Sequence, residues 1–447
     1  MRADDFGFLP TNNGSENQNA LQRAVDECAR IEVTLPGTYD FEGTLYIPSG
    51  CHIRFGPGVI LRRVPEQGGK NGYFMINKGA FAGDTNEDIT VDGLHLEVNG
   101  VESAAALSVD ILDSLSEAGE DALNAYFDNT VLGLRGQLAF MYVKNLSVTN
   151  FTLNDLCCWD YAIHISDFDG VLLENIHIEG NKDGVHFGPG RNFVLRNGVF
   201  RTKDDPIALN ADDYAPSAPA IGTIENGLIE NCTDLEQDTT CGYFVRLLTG
   251  AGVDWKSGMT IRHSDSVIHN GRFYRAVLPS NGTEKISLTP PTHDKGFAIA
   301  DGITWVRTHL GYKAEELPRT AEIKNVTFRS LRSEKTRPAV VILYIADNNY
   351  HRGCREGSPV PVVKNICFDG VTLCGRAKDA FLLCAPFENF SIKNSCLNGA
   401  AIRFEQGACG TGAYPASFTL ENIRNFHMDD AGAFSESGAH EEYAVKF

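Results

Sequence analysis

Three aspartates carry the strongest chemical signal in the sequence. Asp183 precedes the short apolar segment GVHF, and Asp204 and Asp205 precede the similar segment PIAL, with 22 residues separating Asp183 from Asp205. If Val185 and Ile207 face each other on adjacent strands, the carboxylates lie about 4.8 Å apart. Like charges this close cannot all ionise cheaply, so one keeps its proton while another stays charged. Cleavage of a glycosidic bond needs such an acid and base.

A corner aspartate also has a simpler use, because its side chain can accept hydrogen bonds from nearby backbone N–H groups in a turn. One aspartate alone would favour that interpretation, whereas three on adjacent coils favour a site. The segment Asp212, Asp213 and Tyr214 follows the second strand. It could line the groove or bind calcium, but a turn is the favoured interpretation.

Basic residues accompany the carboxylates. Lys182 and Lys203 flank them and could bind an acidic substrate, lower the pKa of a neighbouring aspartate, or neutralise the cluster. If Ile207 and Val245 point inward, alternate residues face outward into the groove. This column consists of His164, His186, Ala208 and Arg246. Arg246 could bind a uronate with two parallel hydrogen bonds.

A short motif that begins with asparagine and continues with alternating apolar residues recurs along the chain. It begins at Asn150, Asn175, Asn197, Asn226, Asn325, Asn365, Asn394 and Asn422, with spacings of 25, 22, 29, 99, 40, 29 and 28 residues. A period of about 22 to 30 residues with short strands and Gly, Asn and Asp corners predicts an all-β fold, a right-handed parallel β-helix. A leucine-rich repeat is disfavoured because its leucine skeleton is missing.

Three stretches interrupt the repeat. Residues 11–30 predict an amphipathic helix that caps the solenoid, and residues 102–127 predict a helical insertion. The 99-residue gap contains a predicted small β-module at 252–315, whose Tyr274 and Trp305 form its core or stack on sugars. We therefore predict an N-terminal β-helix part (1–251), the module (252–315) and C-terminal coils (316–447).

Composition excludes several classes of partner. The net charge of −19 disfavours nucleic acid, and no run of 18 apolar residues could span a membrane. No Cys and His pattern of a zinc site occurs, so neither a metal nor another cofactor is predicted. The first residues lack a leader, which predicts a cytoplasmic protein, or a secreted one already trimmed. The oligomeric state is left open, and a homo-oligomer such as a trimer is conceivable.

Four cysteines lie in predicted strands and are expected to be buried free thiols, with disulfides as the alternative. They are Cys367, Cys374, Cys384 and Cys396.

Residues 181–183 (NKD) and 203–205 (KDD) resemble the Asn-Thr-Asp and Gly-Asp-Asp motifs of glycoside hydrolase family 28, the polygalacturonases and their relatives. The segment RGQLAFMYVKNLSVTNFTLNDLCCWDYAIHI, which contains Trp159, is similar to the family's entry coils. The opening DDFGF and NALQRAVD resemble the cap of the wider pectate-lyase-like superfamily. The resemblance implies that Asp204 is the general acid, that Asp183 and Asp205 activate water, and that the anomeric centre is inverted. Gly242-Tyr243-Phe244 replaces the family's Gly-His-Gly, and Arg-Ile-Lys is missing.

The predicted function is hydrolysis of a glycosidic bond in an oligo- or polysaccharide, with a uronide as one candidate substrate. Predicted substrate-binding residues are Lys182, Lys203, His164, His186, Tyr243, Arg246 and Trp159. Four alternatives remain open: a polysaccharide lyase with Lys182 or Lys203 as its base, an epimerase, an intramolecular glycosyl transferase, and a non-catalytic, tailspike-like binding protein.

Overall fold

The N-terminus forms a short helix against the end of the sheets. The computed structural model describes residues 1–66, 72–101, 119–128, 130–157, 160–237, 241–279, 281–405, 417–429 and 443–446. Helix α1 (Gly14–Glu27) begins in a capping box, in which the Asn13 side chain accepts a 2.9 Å hydrogen bond from the Glu16 N–H and the Glu16 carboxylate accepts one of 3.1 Å from the Asn13 N–H. Its apolar face packs into the core, as predicted for 11–30.

Strands make up most of the remaining chain. The first group is β1 (Arg30–Val33), β2 (Gly37–Glu42), β3 (Leu45–Ile47), β4 (His52–Phe55), β5 (Val59–Val64), β6 (Met75–Asn77), β7 (Asn86–Asp92), β8 (His95–Glu97), β9 (Leu138–Leu156), β10 (Ile163–Gly180), β11 (Val185–Phe187), β12 (Gly190–Thr202), β13 (Ile207–Asn210), β14 (Ile224–Glu230), β15 (Thr233–Asp234) and β16 (Val245–Ala251). A second helix, α2 (Glu120–Phe127), lies between β8 and β9.

The second group comprises an insertion and the last coils. The insertion contains β17 (Val253–Asp254), β18 (Met259–Ile261), β19 (Ser266–His269), β20 (Arg272–Val277), β21 (Lys285–Ser287), β22 (Phe297–Ala300) and β23 (Ile303–Thr308). The last coils contain β24 (Thr320–Ala321), β25 (Ile323–Arg329), β26 (Arg332–Ser333), β27 (Arg337–Ile345), β28 (Val363–Asp369), β29 (Thr372–Leu373), β30 (Ala377–Leu383), β31 (Phe387–Cys396), β32 (Ala401–Phe404), β33 (Phe418–Arg424), β34 (His427–Asp429) and β35 (Tyr443–Lys446).

The strands outside the insertion, except β24, stack coil on coil in three columns of parallel pairs, while β24 pairs antiparallel with the end of β16. One column runs from β1 through β4, β7 and the middle of β9 to β35, and a second from β2 through β5 and β8 to β31. The third, called the site sheet, contains β3, β6, the starts of β9 and β10, then β11, β13, β16, β27, β30, β32 and β34. The predicted parallel β-helix is confirmed.

Asparagines in the left-handed conformation turn the chain within each coil. All eight asparagines of the repeat have φ between 50° and 60°, which Asn tolerates better than most residues. The predicted alignment is wrong at two steps. Asn226 donates to Asn192 at 3.3 Å and not to Asn197, and Asn394 donates to Asp369 at 2.9 Å and not to Asn365. The repeat therefore combines two asparagine ladders at two different corners of the coil.

The core is a stack of apolar side chains in matching positions. In the site sheet Val185 pairs with Ile207, which pairs with Val245, and all three are fully buried. Burying each such side chain contributes about 1.5–3 kcal/mol. The predicted thiols lie outside this stack: Cys367, Cys374, Cys384 and Cys396 are free, but Cys374 is exposed and the others are half-buried.

The insertion forms separate sheets within the stretch 252–315. β17, β19, β20, β23 and β22 build one sheet, and β18 and β21 build a second. Tyr274 and Trp305 are fully buried in this module's own core, so neither offers a face for stacking on a sugar. Of the predicted helical insertion, 120–127 is helical and 102–118 lies outside the described residues. The predicted domain boundaries stay a prediction. Within the described ranges, no helix is long and apolar enough to cross a bilayer.

Candidate active site

The register of the site sheet brings the three predicted aspartates together. Val185 pairs with Ile207, so Asp183 and Asp205, each two residues earlier, take the same position on adjacent coils. Carboxylate oxygens of Asp183, Asp204 and Asp205 lie within 4.8 Å of one another. Asp183 and Asp205 are 1% and 2% exposed, whereas Asp204 keeps some exposed surface. Asp204 is therefore the carboxylate most open to a ligand.

Gly242, on the next coil, makes room for these carboxylates. Its φ is 69°, and a Cβ there would lie 2.2 Å from Asp204 Oδ1 and 2.4 Å from Asp205 Oδ1. The next residue, Tyr243, donates a 2.6 Å hydrogen bond from its backbone N–H to Asp205 Oδ1. Where the family motif has histidine, this chain thus contributes a backbone donor, while the Tyr243 side chain is half-buried beside the cluster.

Lys182 places its ammonium among the carboxylates. Lys182 Nζ contacts Asp204 Oδ2 and lies 3.0 Å from Asp183 Oδ1. Burial alone would lower the pKa of Lys182, but the two carboxylates raise it well above its usual range. Lys182 is therefore a permanent cation in this site.

The three carboxyl groups have pKa values shifted in opposite directions. Burial raises the pKa of Asp183 to about 7, with Lys182 opposing the shift. Burial and then the Asp204 charge raise the pKa of Asp205 to about 6. Burial would also raise the pKa of Asp204, but the charge and hydrogen bond of Lys182 bring it below its usual value. Near neutral pH, Asp204 is ionised while Asp183 can hold a proton.

Arg246 joins the cluster to a fourth carboxylate. Arg246 Nη1 lies 3.4 Å from Asp205 Oδ2, and Nη2 lies 3.1 Å from Asp213 Oδ2. Asp213 also accepts hydrogen bonds from the Tyr214 N–H at 2.8 Å and the Asn210 side chain at 2.6 Å. The favoured interpretation of Asp213 as a turn residue was therefore incomplete, since one carboxylate oxygen forms the turn and the other belongs to the site.

His164 and His186 lie in the predicted column, but they are buried. The register aligns His164, His186, Ala208 and Arg246. The two histidines are 1% and 0% exposed, so both rings are covered by other residues, and their contact with substrate stays a prediction. Burial lowers the pKa of His164 to about 3 and that of His186 well below its usual value, so both are neutral. Their rings pack against each other at 4.9 Å, and Tyr161 packs on His186 at 4.2 Å.

Two further residues, Lys203 and Trp159, were also predicted to bind substrate. Lys203 is half-buried, and within the described part of the chain its side chain makes no hydrogen bond or ion pair with the carboxylates. Only one of the two flanking lysines thus joins the cluster. Trp159 lies outside the described residues.

A buried ion pair between distant segments supports the two site loops. Arg337 donates to Asp234 Oδ2 at 2.8 Å, and Lys335 Nζ lies 3.4 Å from Asp234. The same guanidinium donates to the backbone oxygens of Asp204 at 3.3 Å and Cys241 at 3.0 Å. Arg337 therefore fixes the loop with Asp204 and Asp205 relative to the loop with Gly242. These partners lie far apart in sequence, and no local motif marks them.

Three convergent carboxylates are also a possible cation site. Here, however, the Lys182 ammonium contacts Asp183 and Asp204, and Arg246 pairs with Asp205. The protein's own cations thus supply positive charge where a divalent metal would otherwise be needed to balance the cluster.

Fold and site together define a parallel β-helix with a buried cluster of carboxylates and cations on its site sheet. The chain matches no protein-family model and no curated protein. Among solved structures it is similar to a family 28 exopolygalacturonase from Yersinia enterocolitica (14% identity, TM-score 0.44, covering 95% of this chain and 77% of that one). It is also similar to an endo-xylogalacturonan hydrolase from Aspergillus tubingensis (10% identity, TM-score 0.44, covering 98% of this chain and 93% of that one). A third similar structure is that of the Streptococcus pneumoniae surface adhesin PfbA (11% identity, TM-score 0.43, covering 96% of this chain and 97% of that one). These neighbours include both enzymes and an adhesin, so the case for function rests on the site.

Proposed function

We propose that the protein is a glycoside hydrolase that cleaves a glycosidic bond in an oligo- or polysaccharide. The observation that carries the proposal is the convergence of Asp183, Asp204 and Asp205, whose carboxylate oxygens lie within 4.8 Å of one another. In this cluster burial raises the pKa of Asp183 to about 7, while Lys182 lowers that of Asp204. Two carboxyl groups with separated pKa values supply an acid and a base at the same pH. Hydrolysis of a glycosidic bond requires that pair.

The roles of the two residues follow from their charge states. Lys182 lowers the pKa of Asp204 and so keeps its carboxylate ionised, and part of the side chain is exposed. Asp204 therefore acts as the base that activates water. Burial raises the pKa of Asp183 to about 7, so Asp183 can hold a proton and acts as the general acid, with its Oδ1 3.0 Å from Lys182 Nζ. Asp205, held by the Tyr243 N–H and Arg246, orients the cluster. This assignment exchanges the roles that the family resemblance implies for Asp183 and Asp204.

Substrates with different leaving groups test these roles. An aryl glycoside with a weakly basic leaving group needs little protonation, so loss of the acid matters less. Asp183→Asn should therefore retain a larger fraction of wild-type activity on the aryl substrate than on a natural glycan, while Asp204→Asn should lose activity on both. If Asp204→Asn instead keeps the larger fraction of its activity on the aryl substrate, Asp204 is the acid and Asp183 activates water, as the family resemblance implies.

The separation of the carboxylates bears on stereochemistry. Inverting enzymes need roughly 6.5–9.5 Å between the two carboxyl groups for a water molecule, and retaining enzymes about 5–5.5 Å. Oxygens of all three aspartates lie within 4.8 Å of one another. The geometry therefore does not favour the inversion that the resemblance implies, and hydrolysis without a stated anomeric course is proposed.

The alternatives have less support from the site. A lyase would need a neutral base, but the raised pKa of Lys182 keeps that residue charged. Carboxylates with separated pKa values are more typical of catalytic sites than of purely binding ones. Transfer within one sugar chain uses the same acid and base, but its products contain no added water.

A glycan screen tests the proposal. Purified protein is incubated with pectic, fructan and neutral glycans, and products are identified by mass spectrometry. Products heavier by one water per bond support hydrolysis. Asp183→Asn and Asp204→Asn should each lose about 10²–10⁴-fold in rate, the usual contribution of general acid–base catalysis, while circular dichroism stays unchanged. Binding of a glycan without cleavage, or full activity in both variants, would contradict the proposal.

A further inference from the structure

We propose that a groove at the edge of the site sheet opposite the carboxylates is a second binding site, which holds a short stretch of a neutral glycan chain. This corner groove lies where the chain turns from the site sheet into the column that begins with β1. It is a cavity of about 690 Å³, within the size range of ligand sites. Its floor consists of Thr85, Tyr142, Asp167, Pro189 and Thr223.

The floor of the corner groove is a row of residues in matching positions on five successive coils. Each floor residue immediately precedes one member of a row of paired strand residues, namely Asn86, Val143, Phe168, Gly190 and Ile224. Four coil steps of about 4.8 Å make the row roughly 19 Å long, parallel to the axis of the solenoid. A groove of this shape suits a linear chain better than a compact ligand.

One wall of the corner groove carries a ladder of alternating charges. Its members pair in register from coil to coil and are Lys144, Asp169, Arg191 and Glu225. Arg191 Nη2 lies 2.8 Å from Asp169 Oδ2. Two cations and two anions give the ladder no net charge, so it favours neither a polyanion nor a polycation. The hydroxyls of a neutral sugar can donate to its carboxylates and accept from its cations.

The opposite wall is the segment 311–320, which leads from the insertion back to the coils. Tyr312 is half-buried, and its hydroxyl donates to Asp167 Oδ1 on the floor. Arg319 Nη1 lies 2.7 Å from Asp254 Oδ2, so this wall is tied to β17 at its far end. A tyrosine combines an apolar ring with a polar tip, which suits the mixed surface of a sugar.

Two floor residues have features that a ligand would explain. Tyr142 has a φ of 57°, which bulky residues rarely adopt, and its hydroxyl accepts a 3.2 Å hydrogen bond from the Leu310 N–H. Backbone strain of this kind is concentrated at functional sites. Asp167 Oδ2 is covered and has no hydrogen-bond partner among the residues that the structure describes. A ligand hydroxyl would supply the donor that this oxygen lacks.

The corner groove is separate from the carboxylate cluster. Asp183 lies two residues before β11 and Pro189 two residues after it, so about 20 Å of extended chain separates them. The described residues that line the cavity include no member of the cluster. A peptide strand is a poorer occupant than a glycan, because the backbone groups of these coils already pair with each other.

Calorimetric titration of the full chain tests the site. The probes are cellotetraose, xylotetraose, mannotetraose and galactotetraose, with tetragalacturonic acid as the anionic comparison. At least one neutral tetrasaccharide should bind, and Glu225→Ala and Asp169→Ala should each weaken its binding about tenfold, because a hydrogen bond to a charged group is lost. Glu388→Ala should bind as wild type does. It is the matched control, since Glu388 takes the same position as Glu225 on a later coil, beyond the groove.

Hydrogen exchange of the wild type locates the bound probe even if a variant fails to fold. Binding should slow exchange in the segment 311–320, whether or not the carboxylate cluster is also occupied. The proposal would be overturned by unchanged exchange in this segment, by equal binding in Glu225→Ala, Asp169→Ala and wild type, or by binding of tetragalacturonic acid alone. Binding of no probe at millimolar concentration would also overturn it. Binding in the corner groove without cleavage of any glycan would instead reject only the proposed hydrolysis.

Discussion

Gly242 lies so close to Asp204 that a side chain between them is excluded: a Cβ would stand 2.2 Å from Asp204 Oδ1. We expect Gly242→Ala to displace the carboxylates and reduce kcat/KM by about 10²-fold or more, since misplaced catalytic groups lose rate steeply. Gly258 is a matched control, because its φ is 87° but nothing lies within 4 Å of its Cβ position. Both variants should lose stability from the strained backbone, about 1–3 kcal/mol. Equal activity in the two would show that Gly242 does not shape the site.

The pH dependence of kcat/KM distinguishes the two role assignments. Asp183 must be protonated to act as an acid, and with its pKa raised to about 7 the active form is lost as pH rises above 7. We therefore expect activity to fall on the alkaline side of neutrality. If Asp183 and Asp205 instead activated water, both would have to ionise, and activity would rise between pH 6 and 7.

The two lysines that flank the carboxylates should behave differently. Lys182 is the main cause of the lowered pKa of Asp204, so Lys182→Met should raise that pKa and move the acid limb of kcat/KM to higher pH. Lys203→Met should leave this limb in place, because no described ion pair links Lys203 to the cluster. If the acid limb of kcat/KM moved equally in both variants, its position would depend on the overall charge near the site and not on the contact between Lys182 and Asp204.

Loss of the buried Asp234 carboxylate should damage both stability and activity. Asp234→Asn leaves Arg337 and Lys335 as buried cations without their partner, which costs about 3–5 kcal/mol of unfolding free energy. The loop with Asp204 should then lose its fixed position. Asp169→Asn, whose partner Arg191 is exposed, should cost about 0–1 kcal/mol. Urea unfolding compares the two, and a similar small loss would contradict the supporting role.

The fold and the acidic cluster were predictable because they depend on spacing along the chain. One coil of 22 residues fixed the register of Asp183 and Asp205, and alternation placed His164 and His186 in one outward column. The alignment at Asn226 was wrong because two corners of each coil need a left-handed residue, and asparagine serves at both. Sequence spacing alone cannot distinguish these corners.

Other features were not predictable because they depend on contacts between distant segments. Arg337 reaches Asp204 from 133 residues away, and Arg135 reaches Ser217 from 82. The burial of His164 and His186 likewise depends on what covers the site sheet. Alternation within a strand gives the direction of a side chain, but not what lies above it.

The most direct test of the central claim uses water enriched in heavy oxygen. A glycan that the protein cleaves is incubated in this water with wild type and with Asp204→Asn, and the products are weighed by mass spectrometry. The account predicts one heavy oxygen for each bond cleaved, with the rate reduced about 10²–10⁴-fold in Asp204→Asn. Cleavage without heavy oxygen, or an unchanged rate in the variant, would contradict it.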